Sequence, residues 1–116
     1  MSDSIKLIQE YDISVIKPEG EIVFENSNKI KERTKEILEE NEINKLIIDL
    51  KSVPYLDSSG VGVIISLFKY LRERKGKLAI TNLQPKVKRV CELTKLNEII
   101  NIFESNEKAV KELSTS

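Results

Sequence analysis

The chain has 116 residues, a length that predicts one domain, residues 1–116, because two smaller halves would each bury too little apolar surface. Its 19 basic and 19 acidic residues give a formal net charge of zero, so no overall positive field favours direct binding to nucleic acid. Histidine is absent and Cys91 is the single cysteine, which excludes most metal sites, internal disulfides and mechanisms that need imidazole; we expect no metal and no cofactor.

The sequence also predicts a cytoplasmic protein with no membrane contact. No apolar stretch approaches the roughly 18 residues that a membrane span needs. The polar start MSDS has neither the basic region nor the apolar core of a signal peptide. We expect residues 1–3 to be flexible and residues 114–116 to be frayed.

The N-terminal third predicts a hairpin and then a helix. Two runs rich in isoleucine and valine, residues 4–10 and 13–17, are separated by polar residues and closed by proline and glycine, as two antiparallel strands are. An amphipathic helix is then predicted to begin at Asn26 or Ser27 and to stop at Asn41.

The remainder predicts strands alternating with helices. Residues 46–50 are apolar on both alternations, as in a strand covered on two faces, and a helix follows that ends at Gly76. Further strands are predicted at 77–81 and 98–103. Further helices are predicted from Pro85, with its inner side at Val87, Val90, Cys91 and Thr94, and at 106–113, packing through Ala109, Val110 and Leu113.

The predicted order is therefore β-β-α-β-α-β-α-β-α. It indicates an α/β fold with a mixed, mostly parallel sheet of four to five strands, an N-terminal β-hairpin and about four helices. Function in such sheets gathers where the parallel strands end. The segment DSSGVGV, residues 57–63, lies at such a position.

This segment permits several interpretations. Asp57 or Ser58 can cap the following helix, because either side chain accepts a hydrogen bond from an unpaired amide of the first turn. Gly60 and Gly62 weaken a purely structural interpretation, since each costs about 1 kcal/mol relative to alanine in a helix. A bare backbone indicates either close packing of the helix or a partner that approaches the turn.

Two catalytic interpretations fail on residue type. A nucleophile elbow needs the motif G-x-S-x-G and a base beside the serine. Leu56 and Asp57 occupy the positions where the first glycine would lie, and the chain has no histidine to act as the base. A phosphate-binding P-loop needs a lysine at the helix start, whereas the next lysine is Lys69. The chain is predicted not to be an enzyme. A serine that is itself phosphorylated fits the turn, and helical geometry alone does not choose between Ser58 and Ser59.

Residues 45–103, with the apolar strand before DSSGVGV and the GK turn into the next strand, resemble the STAS domain of bacterial anti-sigma factor antagonists. The resemblance extends back to GEI, residues 20–22, and so covers nearly the whole chain. It implies that Ser58 is phosphorylated by a GHKL-type serine kinase that is also an anti-sigma factor, and that a serine phosphatase reverses this. The unphosphorylated protein would bind the kinase and release its sigma factor.

The resemblance also implies a surface for the partner. Its members are Gly20, Glu21, Val23, Asp57, Ser59, Gly60, Val61 and Gly62. Many antagonists carry an acid where this chain has Val23, so the affinity for the partner or its identity can differ here. We expect a monomer or a weak dimer.

Other functions stay open at this point. A response-regulator receiver has similar length and could use Asp57 as its phosphoacceptor, but ISVIKPEGEIV lacks the acidic pair that would hold Mg²⁺. A STAS scaffold of a stress-signalling complex, a module related to anion-transporter tails, and a module that binds a ligand anion at the helix N-terminus are further alternatives.

Overall fold

The structure is a computed structural model that describes residues 12–114 and the backbone of residues 7–10. The predicted flexible residues 1–3, the first part of the first predicted strand, 4–6, and residues 115–116 lie outside the described residues. The elements, in chain order, are β1 (Leu7–Glu10), β2 (Ile13–Ile16), α1 (Phe24–Glu40), β3 (Lys45–Asp49), α2 (Ser58–Glu73), β4 (Lys77–Thr81), α3 (Pro85–Leu93), a 3-10 turn (Leu96–Glu98), β5 (Asn101–Phe103) and α4 (Asn106–Ser114).

The strands form one sheet in the order β1-β2-β3-β4-β5. β1 runs antiparallel to β2, and every later neighbour is parallel. The register places Ile48 of β3 between Ile16 of β2 and Ile80 of β4. The predicted α/β fold with a mostly parallel sheet is confirmed, and its parallel strands all end at one edge.

Helices cover the two faces of the sheet unequally. Alternate strand residues, among them Ile16, Ile48 and Ile80, join the core beneath α1, α2 and α3. The residues between them face α4, whose Ala109 and Leu113 are buried there. Strands that are covered on both faces have continuous apolar sequences, which explains why β3 is apolar on both alternations. Within the described residues, no helix is long and apolar enough to cross a membrane.

The start of α1 differs from the prediction. The helix begins at Phe24, with Val23 in the capping position, rather than at Asn26 or Ser27. Asn26 lies inside the first turn, where its Oδ1 accepts a hydrogen bond from the Val23 amide at 2.9 Å and its Nδ2 donates to the Glu21 carbonyl at 2.8 Å. A polar residue typical of a helix cap thus supports the cap from the first turn, as the reciprocal residue of a capping box does.

Two further predictions in the C-terminal part are wrong in detail. The strand predicted over 98–103 begins at Asn101, because the amides of Ile99 and Ile100 donate to the Leu96 carbonyl and close a 3-10 turn instead. Thr94 is exposed at the end of α3 and donates to the Val90 carbonyl, so it is not on the inner side. Ser114 is the last residue of α4, and its fraying stays a prediction.

Candidate functional site

Two separate segments of the chain meet beyond the ends of β2 and β3. The Gly20 amide donates to the Ser52 carbonyl at 3.0 Å, and the Ile22 amide donates to the Tyr55 carbonyl at 3.1 Å. The Ile22 carbonyl in turn accepts from the Asp57 amide at 3.3 Å. Residues 20–23 and 57–60, which are far apart in the sequence, are therefore adjacent in the fold.

Asp57 joins the two segments through its side chain. Its Oδ1 accepts hydrogen bonds from the amides of Ser59 at 2.9 Å and Gly60 at 3.1 Å, which makes Asp57 the N-cap of α2. Its Oδ2 accepts from the Phe24 amide, the first residue of α1, at 3.1 Å. One carboxylate thus caps two helices, and its negative charge lies near the positive ends of both helix dipoles.

Ser58 and Ser59 differ in their access to solvent. Ser58, the first residue of α2, is exposed, whereas Ser59 is half-buried. Within the described part of the chain, neither hydroxyl makes a hydrogen bond. Because Asp57 already holds the Ser59 and Gly60 amides, the Ser58 hydroxyl projects from a turn whose geometry does not depend on it.

The glycines of the turn have different roles. A Cβ at Gly60 would lie 2.5 Å from the Ile22 carbonyl oxygen and 2.6 Å from the Leu56 Cβ, so this glycine is required for close packing inside the fold. The structure thus supports the close-packing interpretation of Gly60, and the approach of a partner to this residue stays a prediction. Val61 is 5% exposed and belongs to the core. Gly62 is exposed, with open space where a Cβ would lie.

The remaining predicted contact residues lie on the surface of the 20–23 segment. Gly20 and Glu21 are exposed, and Gly20 adopts a φ of 87°, a left-handed conformation that favours glycine. Val23 is half-buried at the cap of α1. Of the eight predicted contact residues, six are exposed or half-buried beside the exposed Ser58, namely Gly20, Glu21, Val23, Asp57, Ser59 and Gly62, whereas Gly60 and Val61 are buried.

Sequence reasoning missed Phe24. This side chain is 77% exposed, although α1 has its apolar residues on the buried side. It lies at one end of a groove of about 230 Å³ between α1 and α2, which Ser59 and Gly62 also line. The sequence signal that could have indicated this exposed residue is an aromatic side chain in the first turn of a helix rich in lysine and glutamate.

A second polar cluster lies at the same edge of the sheet. Asp49, 4% exposed, accepts hydrogen bonds from the Lys51 amide at 2.9 Å and from the side-chain amides of Asn82 and Asn106 at 3.1 and 3.0 Å. The Thr81 hydroxyl donates to Asn106 Oδ1. A buried carboxylate with three donors is well satisfied, and the cluster ties the start of α4 to the ends of β3 and β4.

The described residues contain no group of three or more histidine, cysteine or acidic side chains that could hold a metal ion. Cys91 is fully buried, and burial raises the pKa of its thiol to about 11. A thiol with such a pKa is almost entirely protonated near neutral pH and is a poor nucleophile. Cys91 is therefore a core residue of α3, in agreement with its sequence pattern.

Comparison with known proteins identifies the family of this fold. The STAS domain matches residues 4–109. The chain belongs to the STAS family. The anti-sigma-B factor antagonist of Listeria monocytogenes is 40% identical over 83 residues, with 72% of each chain covered. The anti-sigma F factor antagonist of Paenibacillus polymyxa is 24% identical over 113 residues, with 97% of each chain covered.

Solved structures agree with this assignment. The protein TM1081 from Thermotoga maritima, 27% identical, superposes with a TM-score of 0.88 and covers 94% of this chain and 93% of its own. The anti-sigma factor antagonist SpoIIAA in its unphosphorylated form, 19% identical, superposes with a TM-score of 0.79 over 97% of both chains. Membership of the STAS family decides against a response-regulator receiver.

Proposed function

We propose that this STAS protein is an anti-sigma factor antagonist that is switched by phosphorylation of Ser58. The unphosphorylated form binds an anti-sigma factor of the GHKL-type serine kinase class and so releases a sigma factor. The kinase transfers the γ-phosphoryl group of its own ATP to the Ser58 hydroxyl, with loss of the hydroxyl proton and release of ADP. A serine phosphatase hydrolyses the phosphate ester and resets the switch in the cytoplasm, where sigma factors meet RNA polymerase.

One observation carries this proposal: Ser58 is exposed on a turn that Asp57 and Gly60 fix from beneath. A substrate hydroxyl must enter the active site of another protein, so it has to stand clear of its own fold. Ser58 meets this condition and the half-buried Ser59 meets it less well. A relative of the same fold, SpoIIAA, has also been solved in a phosphorylated form, which supports a modification compatible with the fold.

The charge of the turn explains why phosphorylation would act on binding. A phosphoserine carries about −1.5 to −2 charges near neutral pH. The amides of Ser59 and Gly60, which could otherwise donate hydrogen bonds to the phosphate, already donate to Asp57 Oδ1. The new charge would therefore remain at the surface beside the Asp57 carboxylate, and a partner that covers this turn would have to desolvate both.

The test uses the purified protein with its cognate anti-sigma kinase, ATP and Mg²⁺. We expect one phosphate on Ser58 in the wild type, none in Ser58→Ala, and an unchanged reaction in Ser59→Ala, each located by mass spectrometry. Ser58→Ala should still bind the kinase, and Ser58→Asp should bind it at least ten-fold more weakly. Phosphate on Ser59 or elsewhere would refute the site, and equal binding of Ser58→Asp and wild type would refute the switch.

A further inference from the structure

The groove between α1 and α2 begins beside the proposed phosphorylation site and leads away from it. It is lined by Phe24, Ser27, Asn28, Lys31, Ser59, Gly62, Val63 and Ser66, and its volume is about 230 Å³. Ser59 connects it directly to the turn that presents Ser58. A protein that covers Ser58 closely would therefore also meet the groove.

Phe24 gives the groove an apolar end that the fold itself does not need. Its ring is 77% exposed, while its backbone amide is held by Asp57 at 3.1 Å. The side chain is thus presented from a fixed backbone position next to the turn. Aromatic residues, phenylalanine among them, are enriched in protein interfaces, where they bury a large apolar area.

Lys31 gives the groove its charge. It is the one charged residue among the eight that line the groove, and no salt bridge of the described residues includes its ammonium group. The other polar lining residues are neutral serines and an asparagine, and Gly62 leaves open space. The groove is complementary to an apolar side chain with a carboxylate beside it.

We infer that this groove is a docking site for the anti-sigma kinase, and that Phe24 and Lys31 determine the partner's specificity. The inference rests on the proposed function. The kinase inserts an apolar side chain beside Phe24 and places an acidic side chain near Lys31. A phosphoryl group on Ser58 would add negative charge at the mouth of the groove and repel that acidic side chain, so phosphorylation would weaken the same contact.

The experiment compares Phe24→Ala and Lys31→Glu with two controls outside the groove. Leu93→Ala removes a side chain that is 69% exposed on α3, and Lys69→Glu makes the same charge reversal on an exposed position of α2. Binding to the kinase is measured by calorimetry, and the phosphorylation rate is measured against protein concentration. Circular dichroism checks that each variant is folded.

We expect Phe24→Ala and Lys31→Glu each to raise Kd for the kinase about ten-fold, a typical loss for a strong interface residue. KM for phosphorylation should rise in parallel, while kcat stays unchanged because neither residue touches the hydroxyl. The controls should behave as the wild type. Wild-type affinity in both groove variants, with Ser58 still phosphorylated, would overturn the docking site alone. Absence of kinase binding by the wild type would overturn the proposed function as well.

Discussion

At the scale of single residues, Asp57 connects two helices, a role that its position before α2 does not predict. As an N-cap it needs only one carboxylate oxygen, and Oδ1 serves the Ser59 and Gly60 amides. The second oxygen reaches the Phe24 amide, which is 33 positions away in the chain. This contact fixes the start of α1 relative to the start of α2. The proposed phosphorylation site and the proposed docking groove are therefore held together by one side chain.

Gly60 and Gly62 allow a matched test of this turn. Gly60→Ala should lower the free energy of unfolding by about 1–3 kcal/mol, because the new methyl group overlaps the Ile22 carbonyl and the Leu56 side chain. Gly62→Ala should raise it by up to about 1 kcal/mol, because alanine favours the helix and space is open there. Urea denaturation measures both. A stabilised Gly60→Ala variant would show that the packing argument is wrong.

At the scale of elements, the sequence predicted the type and order of the strands and helices well. Apolar periodicity placed β3, β4 and α4 within one residue of their observed bounds, whereas α2 ends at Glu73, three residues before the predicted Gly76. The start of α1 was missed because Asn26 supports the cap from within the first turn, a contact that depends on the path of residues 20–23. Asp57 and Ser58 were predicted as cap candidates, but the second contact of Asp57 and the groove required the packing of α1 against α2.

The two fully buried threonines of the described residues differ in how their hydroxyls are satisfied. Thr34 of α1 has a buried hydroxyl without a hydrogen-bond partner in the structure, whereas the Thr81 hydroxyl of β4 donates to Asn106. An unpaired buried hydroxyl costs about 1–3 kcal/mol. Thr34→Val should therefore stabilise the fold by about 1 kcal/mol, since valine has nearly the same shape.

Thr81→Val is the control for that change. It removes a hydroxyl that bonds Asn106, which also donates to the buried Asp49 carboxylate at 3.0 Å. We expect a loss of about 1–2 kcal/mol, together with faster amide exchange in α4, whose first turn this cluster holds. Thermal and urea unfolding measure the stabilities. A Thr34→Val variant that is as destabilised as Thr81→Val would mean that the Thr34 hydroxyl is paired in solution.

At the scale of the whole molecule, the residues that stabilise the fold are separate from those of the proposed switch. The core lies beneath three helices on one face of the sheet and beneath α4 on the other, while Ser58, Phe24 and Lys31 all lie outside it. Charge can therefore change at Ser58 without entering the core. Overall composition predicted the absence of imidazole chemistry, but this separation follows from which residues the tertiary packing buries.

The buried thiol of Cys91 makes the free energy of unfolding depend on pH. Burial raises the pKa of its thiol to about 11, whereas an unfolded thiol has a pKa of about 8.5. Between these values the unfolded chain loses the proton and the folded chain keeps it, so the unfolded state binds fewer protons and stability falls as pH rises. The full contribution is present below about pH 8.5, and on the order of 2 kcal/mol should be lost by about pH 10.

The measurement follows unfolding in urea from pH 7 to pH 10 for the wild type and for Cys91→Ala. Other groups that titrate in this range are common to both proteins, so the difference between the two curves isolates the thiol. The variant should be less stable than the wild type at pH 7, because it leaves a small cavity in the core, and the gap should narrow as pH rises. Parallel curves would mean that the thiol ionises equally in both states, and rapid alkylation of native Cys91 by iodoacetamide at pH 8 would contradict its burial.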